Sequence, residues 1–133
     1  MPAREPRLVQ VLVAVPSPIV ARRISESLLE RRLCACAQTL GPMTSRYRWR
    51  GKIESAREWL LVLKTRAALF PALERAVREL HPYDVPEILA LHVDDAHAGY
   101  GRWLMAETSA RRSPVRRRAP VRRAGAGTRS RAR

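Results

Sequence analysis

The stretch that most limits what this chain can fold into runs from residue 34 to residue 65. Cys34 to Trp49 reads as one long extended segment, dented at Gly41-Pro42. Ile53 to Thr65 reads as its return, ending in the apolar run Trp59-Leu60-Leu61-Val62-Leu63. Arg50-Gly51-Lys52 between them is a tight turn. The two segments make a β-hairpin whose arms, about 13 residues each, span roughly 40 Å. That is longer than a domain of about 110 residues needs, so the far end projects beyond its own core. Beyond the dent, Ser45, Tyr47 and Trp49 share one face of the hairpin and Arg46, Arg48 and Arg50 the other. A projecting hairpin with apolar and aromatic residues predicts that another chain covers it.

The remaining segments fit around the hairpin. Leu8 to Val15 is an apolar run with almost no alternation, which predicts a strand buried on both faces. Ser17-Pro18 supplies an N-cap and a first helical residue, and Val20, Ile24, Leu28 and Leu29 mark the apolar face of a helix reaching Leu33. Leu69, Leu73, Val77 and Leu80 mark a second helix, with Pro71 in its first turn and Pro82 ending it. Ile88 to Val93 is the fourth strand, and Tyr100, Trp103 and Leu104 lie on a short third helix ending near Thr108. The order β-α-β-β-α-β plus a C-terminal helix predicts an α+β, ferredoxin-like fold: an antiparallel sheet with helices on one face.

Charge separates this domain, residues 1–110, from the C-terminal segment. The chain has 133 residues and a net charge of +14, but residues 111–133 hold ten arginines and no acid. The rest carries 16 basic and 12 acidic residues, a net of +4. Segment 111–133 contains Arg, Ala, Pro, Ser and Gly with little else, cannot bury a core, and is expected to be a disordered tail. Only Lys52 and Lys64 are lysine, and with abundant Ala and Pro this reads as a codon bias toward G and C, so arginine number alone says little. Cys34 and Cys36 have one residue between them, and on an extended strand that spacing argues against a disulfide between them. The apolar run ending at Pro16 is too short to span a membrane and precedes no small-residue cleavage site. The expected location is the cytoplasm.

Polar chemistry concentrates in His81-Pro82-Tyr83-Asp84-Val85-Pro86-Glu87-Ile88. The prolines fix their own φ and push His81 and Val85 toward extended geometry, making a stiff loop that holds its side chains in place. Such a loop serves equally to end a helix and aim the next strand. The residues offer no paired His-x-x-His, no phosphate loop and no dinucleotide fingerprint. Cys36, His81 and Glu87 could be named as a nucleophile set, but no short motif supports it. Physical chemistry alone therefore stops at a ferredoxin-like oligomer with a polar cleft near His81.

Taken together, Arg32-Leu33-Cys34-Ala35-Cys36-Ala37, Ser45 to Glu54, Leu63-Lys64-Thr65, His81 to Ile88 and Tyr100-Gly101-Arg102-Trp103-Leu104 closely resemble the CutA divalent-cation tolerance family over roughly residues 8–109. The resemblance implies a tight homotrimer whose long hairpins pair across subunits, a role in tolerance to divalent metals such as copper, and no established enzymatic reaction. It implies a cleft between subunits, whose matching positions here are Cys36, Tyr47, Lys52, Lys64, His81, Tyr83, Glu87 and Trp103. Some members carry a cysteine where this chain has Val13 and a second histidine where it has Leu80. With both positions apolar, the expected site is a weak one for Cu²⁺, built from His81 with Cys36 or Glu87. Two other functions compete: a regulatory module binding an anionic metabolite through Lys52 and Lys64, and non-specific nucleic-acid contact through the arginine-rich tail.

Overall fold

A computed structural model describes residues 7–109; the segment expected to form the tail, 111–133, lies outside them. The order of elements is β1 (Leu8–Val15), α1 (Pro18–Glu30), β2 (Cys36–Trp49), β3 (Lys52–Arg66), α2 (Phe70–Leu80), β4 (Ile88–His92) and α3 (Ala98–Glu107). A 3₁₀ turn, Ala67–Leu69, leads into α2. The strands form one antiparallel sheet in the order β2-β3-β1-β4, the ferredoxin-like arrangement.

The helices start and stop for local reasons. Ser17 Oγ accepts the Val20 N–H at 3.2 Å, and Pro18 occupies a position where no donor is needed. At the other end of α1, Arg32 takes φ 58°; its N–H donates to the Leu29 carbonyl and the Leu33 N–H to the Leu28 carbonyl, a Schellman turn. The buried stripe of α1 is Ala21, Ile24 and Leu28. Leu29, expected on that stripe, is exposed because it sits about 100° round the helix from Leu28. Helix α2 buries Leu73, Ala76 and Val77. Both helices pack with Val9, Val11, Val13, Val15, Leu61 and Leu63 of the sheet to form the core.

β1 departs from the expectation of a strand buried on both faces. Its odd residues are buried under the helices, whereas Leu8, Gln10 and Leu12 are only half-buried. Register carries that alternation across the sheet: Leu12 lies beside Val62 and Leu89, and Gln10 beside Lys64 and Leu91. Leu40, Leu89 and Leu91 on this second face are 60%, 54% and 47% exposed. The face is apolar; α3 lies against its Cys36 end, and the described residues leave Leu40, Leu89 and Leu91 open.

The dent at Gly41-Pro42 is a β-bulge. Leu40 pairs with Leu60 but Met43 pairs with Glu58, so β2 holds one residue more than β3 across this step. A one-residue insertion exchanges odd for even positions in the pleat. Cys36, Gln38 and Leu40 before the bulge therefore share a face with Met43, Ser45, Tyr47 and Trp49 after it. Gly41 has no substitute at the crossing. Its φ is +151°, and a Cβ there would fall 2.5 Å from Trp59 Cδ1.

Candidate functional site

Helix α2 ends at His81, which is extended, as a residue before proline should be. The Tyr83 N–H donates to His81 Nδ1 at 3.2 Å, so Nδ1 carries the lone pair. Nε2 therefore carries the proton and donates to the Ala14 carbonyl at 2.8 Å. Both ring nitrogens are engaged, and the residue is only 7% exposed. The Tyr83 ring lies 4.7 Å from the His81 ring, and its hydroxyl donates to Glu58 Oε2 at 2.8 Å. These contacts join β1, the loop and β3 in one relay.

Beside this relay lies a cleft of about 610 Å³, lined by Ser45, Tyr47 and Trp49 of β2, Glu58 of β3, and Tyr83 and Glu87 of the loop, among others. The bulge is what brings the three β2 residues to this side. Glu58 is 7% exposed and its Oε2 is held by the Tyr83 hydroxyl. Burial, then the hydrogen bond to Glu58, pushes the Tyr83 phenol up to about 12. Burial, then the charge of Glu58, raises the Glu87 carboxyl above its usual range. Glu58, Asp84 and Glu87 line the cleft, and Arg46, also on its lining, belongs by register to the other face of the hairpin. The electrostatics of the cleft suit a cation rather than an anion.

The sequence-derived site residues fall into two groups. Tyr47, His81, Tyr83 and Glu87 gather around this cleft. Cys36 and Lys64 are cross-strand partners level with Gln10, four residues along β1 from Ala14, or about 13 Å. Lys64 Nζ donates to Gln38 Oε1 at 2.8 Å. Tyr100 lies against Cys36: burial first, then Cys36, raises its phenol. Trp103 joins this group through Tyr100, its ring 5.4 Å away. Lys52 stands apart at the hairpin tip, paired with Trp49. Val13 faces the helices and is fully buried, away from the cleft.

Donor chemistry decides what one protomer can hold. Among the described residues, no group of three or more His, Cys, Asp or Glu side chains is placed to hold a metal ion. The His81 lone pair is already taken, and Cys36 is too distant to share an ion with it at bond lengths of about 2.0–2.3 Å. The protomer alone does not fit a metal centre. Glu58 is the site residue that sequence reasoning passes over. A signal for it exists: Glu58, Leu60, Val62 and Lys64 alternate along β3, placing the acid on the face of the candidate lysine.

Known proteins share this fold. Residues 9–107 match the family model described as CutA1 divalent ion tolerance protein. The chain is 45% identical over 98 residues to the divalent-cation tolerance protein CutA of Thermus thermophilus, covering 74% of this chain and 95% of that one. The solved Thermus thermophilus structure superposes with a TM-score of 0.75 at 43% identity, over 77% of this chain and 99% of the other. A structure from Archaeoglobus fulgidus, described as a periplasmic divalent cation tolerance protein CutA, gives a TM-score of 0.75 at 30% identity, over 77% and 99% of the two chains.

Proposed function

The chain belongs to the CutA1 divalent ion tolerance family, and from that premise we propose that it acts in divalent-cation tolerance as a homotrimer whose metal site is completed between subunits. The observation that carries this reading is the open face of the sheet. It is apolar, the described residues leave Leu40, Leu89 and Leu91 uncovered on it, and it bears Cys36 and Lys64 at one end and Glu58 at the other. Cys36, level with Lys64, lies six residues along β3 from Glu58, about 20 Å, and the two converge only when a second copy brings its own half into reach. Assembly through this face buries Leu40, Leu89 and Leu91 and sets the Cys36 group of one chain against the His81 group of the next.

Copper is the ion that best suits a thiolate and an imidazole together. Binding at this site is weak and exchangeable, for two reasons. Val13 offers no ligand and points into the core. A metal on His81 must also displace the Tyr83 N–H from Nδ1. The role requires no enzymatic reaction. Neither cysteine is in a disulfide, and burial pushes the Cys34 thiol up to about 12, which keeps it inert. Free thiols suit the cytoplasm, although the Archaeoglobus fulgidus relative is described as periplasmic. No helix among the described residues is long and apolar enough to cross a membrane.

Sedimentation and calorimetric titration with Cu²⁺ test this reading. A trimer at micromolar concentration is expected, with copper uptake reduced in both Cys36→Ser and His81→Ala. A monomer, or tight copper binding that survives both substitutions, overturns it.

A further inference from the structure

β1 pairs only with residues Trp59 to Arg66 of β3, so beyond the bulge β2 and β3 continue as a two-stranded ribbon. Register fixes what each face of the ribbon carries. Opposite the Tyr47 face, Arg57 lies beside Thr44, Arg46 beside Ser55, and Arg48 beside Ile53. Both acids of the ribbon, Glu54 and Glu58, pair with Tyr47 and Met43 on the other face. Arg57, Arg46 and Arg48 thus form a row with no acid among them, and Arg50 stands at the turn. Each step is two residues along the ribbon, or about 6.8 Å. All four arginines are exposed. The ion pairs among the described residues, Arg22 with Glu26 and Arg32 with Glu107, both lie elsewhere.

Like charges set close together on a sheet face cost stability, and of the row only Arg57, over the Trp59 ring at 5.8 Å, makes a contact among the described residues that offsets it. A chain rich in arginine explains their number but not the exclusion of acid from one face. We propose that this row is a docking surface for the phosphate backbone of double-stranded DNA, bound without reading its sequence. A duplex carries one phosphate charge per roughly 1.7 Å of its axis, so a row of guanidinium groups stepping by about 6.8 Å finds several phosphates within reach. Each guanidinium can present a two-pronged fork to a phosphate. Trp59 shares this face, but it packs against the core with the Arg57 guanidinium over its ring at 5.8 Å. Tyr47 and Trp49 point to the opposite face, so the row offers no open platform for stacking unpaired bases, which favours a duplex over a single strand. Ile53 is the one large apolar side chain on this stretch, too little to enter a lipid surface. The ten arginines of residues 111–133 add further charge to the same chain.

The proposal is tested on the full chain with a random-sequence 20-base-pair duplex, following affinity by fluorescence anisotropy from low to high salt. Changing Arg46, Arg48 and Arg57 together to Gln is expected to lower the slope of log affinity against log salt by nearly three, since each phosphate contact contributes about 0.9. An equal loss of charge at Arg23, Arg75 and Arg78 on the helices is expected to lower it by less than one. The corresponding triple change to Lys keeps the charge and restores the slope, which separates contact loss from misfolding. A second chain, with the ten arginines of 111–133 changed to Gln, is expected to retain salt-dependent binding. Equal slopes for the ribbon and helix variants, or no binding once the ten terminal arginines are gone, overturns the proposal.

Discussion

The two faces of the sheet are built from the same kinds of residue and meet different fates. Under the helices, Val9, Val11, Val13, Val15, Leu61 and Leu63 are sealed from water. On the other face Leu12, Leu40, Leu60, Val62, Leu89 and Leu91 are just as apolar, yet three of them stand about half exposed. The first face makes the protomer fold. The second is the face that the proposed assembly would cover, since exposed apolar area of this extent suits an interface.

The comparison breaks most visibly when one leucine is changed on each face. Leu61→Ala removes a fully buried side chain and is expected to cost about 2–5 kcal/mol, lowering the melting temperature of the protomer itself. Leu89→Asp, at a half-exposed position, is expected to leave the helical signal intact while sedimentation shifts from trimer to monomer. If Leu89→Asp instead unfolds the chain at every concentration, the two faces do not divide the work as described.

Gly41 tests the junction between the faces, since the bulge sets which β2 residues look into the cleft. Alanine there combines an unfavourable positive φ with a contact on Trp59, and is expected to cost about 2 kcal/mol by chemical denaturation. An unchanged midpoint would mean that the bulge relaxes without penalty.

Most of the fold is legible because strand and helix signals repeat at short range. The hairpin, the Ser17-Pro18 helix start and the break at Pro82 each come from neighbouring residues. What is not legible depends on partners remote in sequence. The run Leu8 to Val15 looks doubly buried, and only the packing shows one side left open. The bulge reads as a dent, but its effect on the pleat needs the register of β3. Glu58 escapes notice because its meaning comes from the Tyr83 hydroxyl, 25 residues away. Family resemblance groups Cys36 with His81, and the protomer holds them at separate ends of the sheet.

Tyr83→Phe addresses the polar end of the open face. Removing the hydroxyl leaves the buried Glu58 carboxylate without its donor, and a hydrogen bond to a charged group is worth about 1.5 kcal/mol or more. The expected result is a loss of that order by denaturation, with the loop at 82–87 becoming more accessible to hydrogen exchange. A neutral outcome would show that Glu58 finds another donor, which the interface with a second copy could supply.

The smallest effect is expected at Glu87, and its sign is informative. Its carboxyl is raised above the ordinary 4.5, by burial first and then by the charge of Glu58. The folded chain therefore holds this proton more tightly than the unfolded chain does. The resulting stabilisation is complete below the unfolded value and is lost as pH rises through the folded one. At neutral pH the ionised side chain is a mild liability, and Glu87→Gln removes it. A gain below about 0.5 kcal/mol is expected at pH 7, because solvent screens so exposed a group. No gain is expected below about pH 4, where the wild-type carboxyl is itself neutral. Thermal melts at both pH values and low salt read the difference. A loss of stability at pH 7 would mean that Glu87 is paired with a cation in the assembled protein, and the open face would then complete its electrostatics, as well as its apolar burial, from a neighbouring subunit.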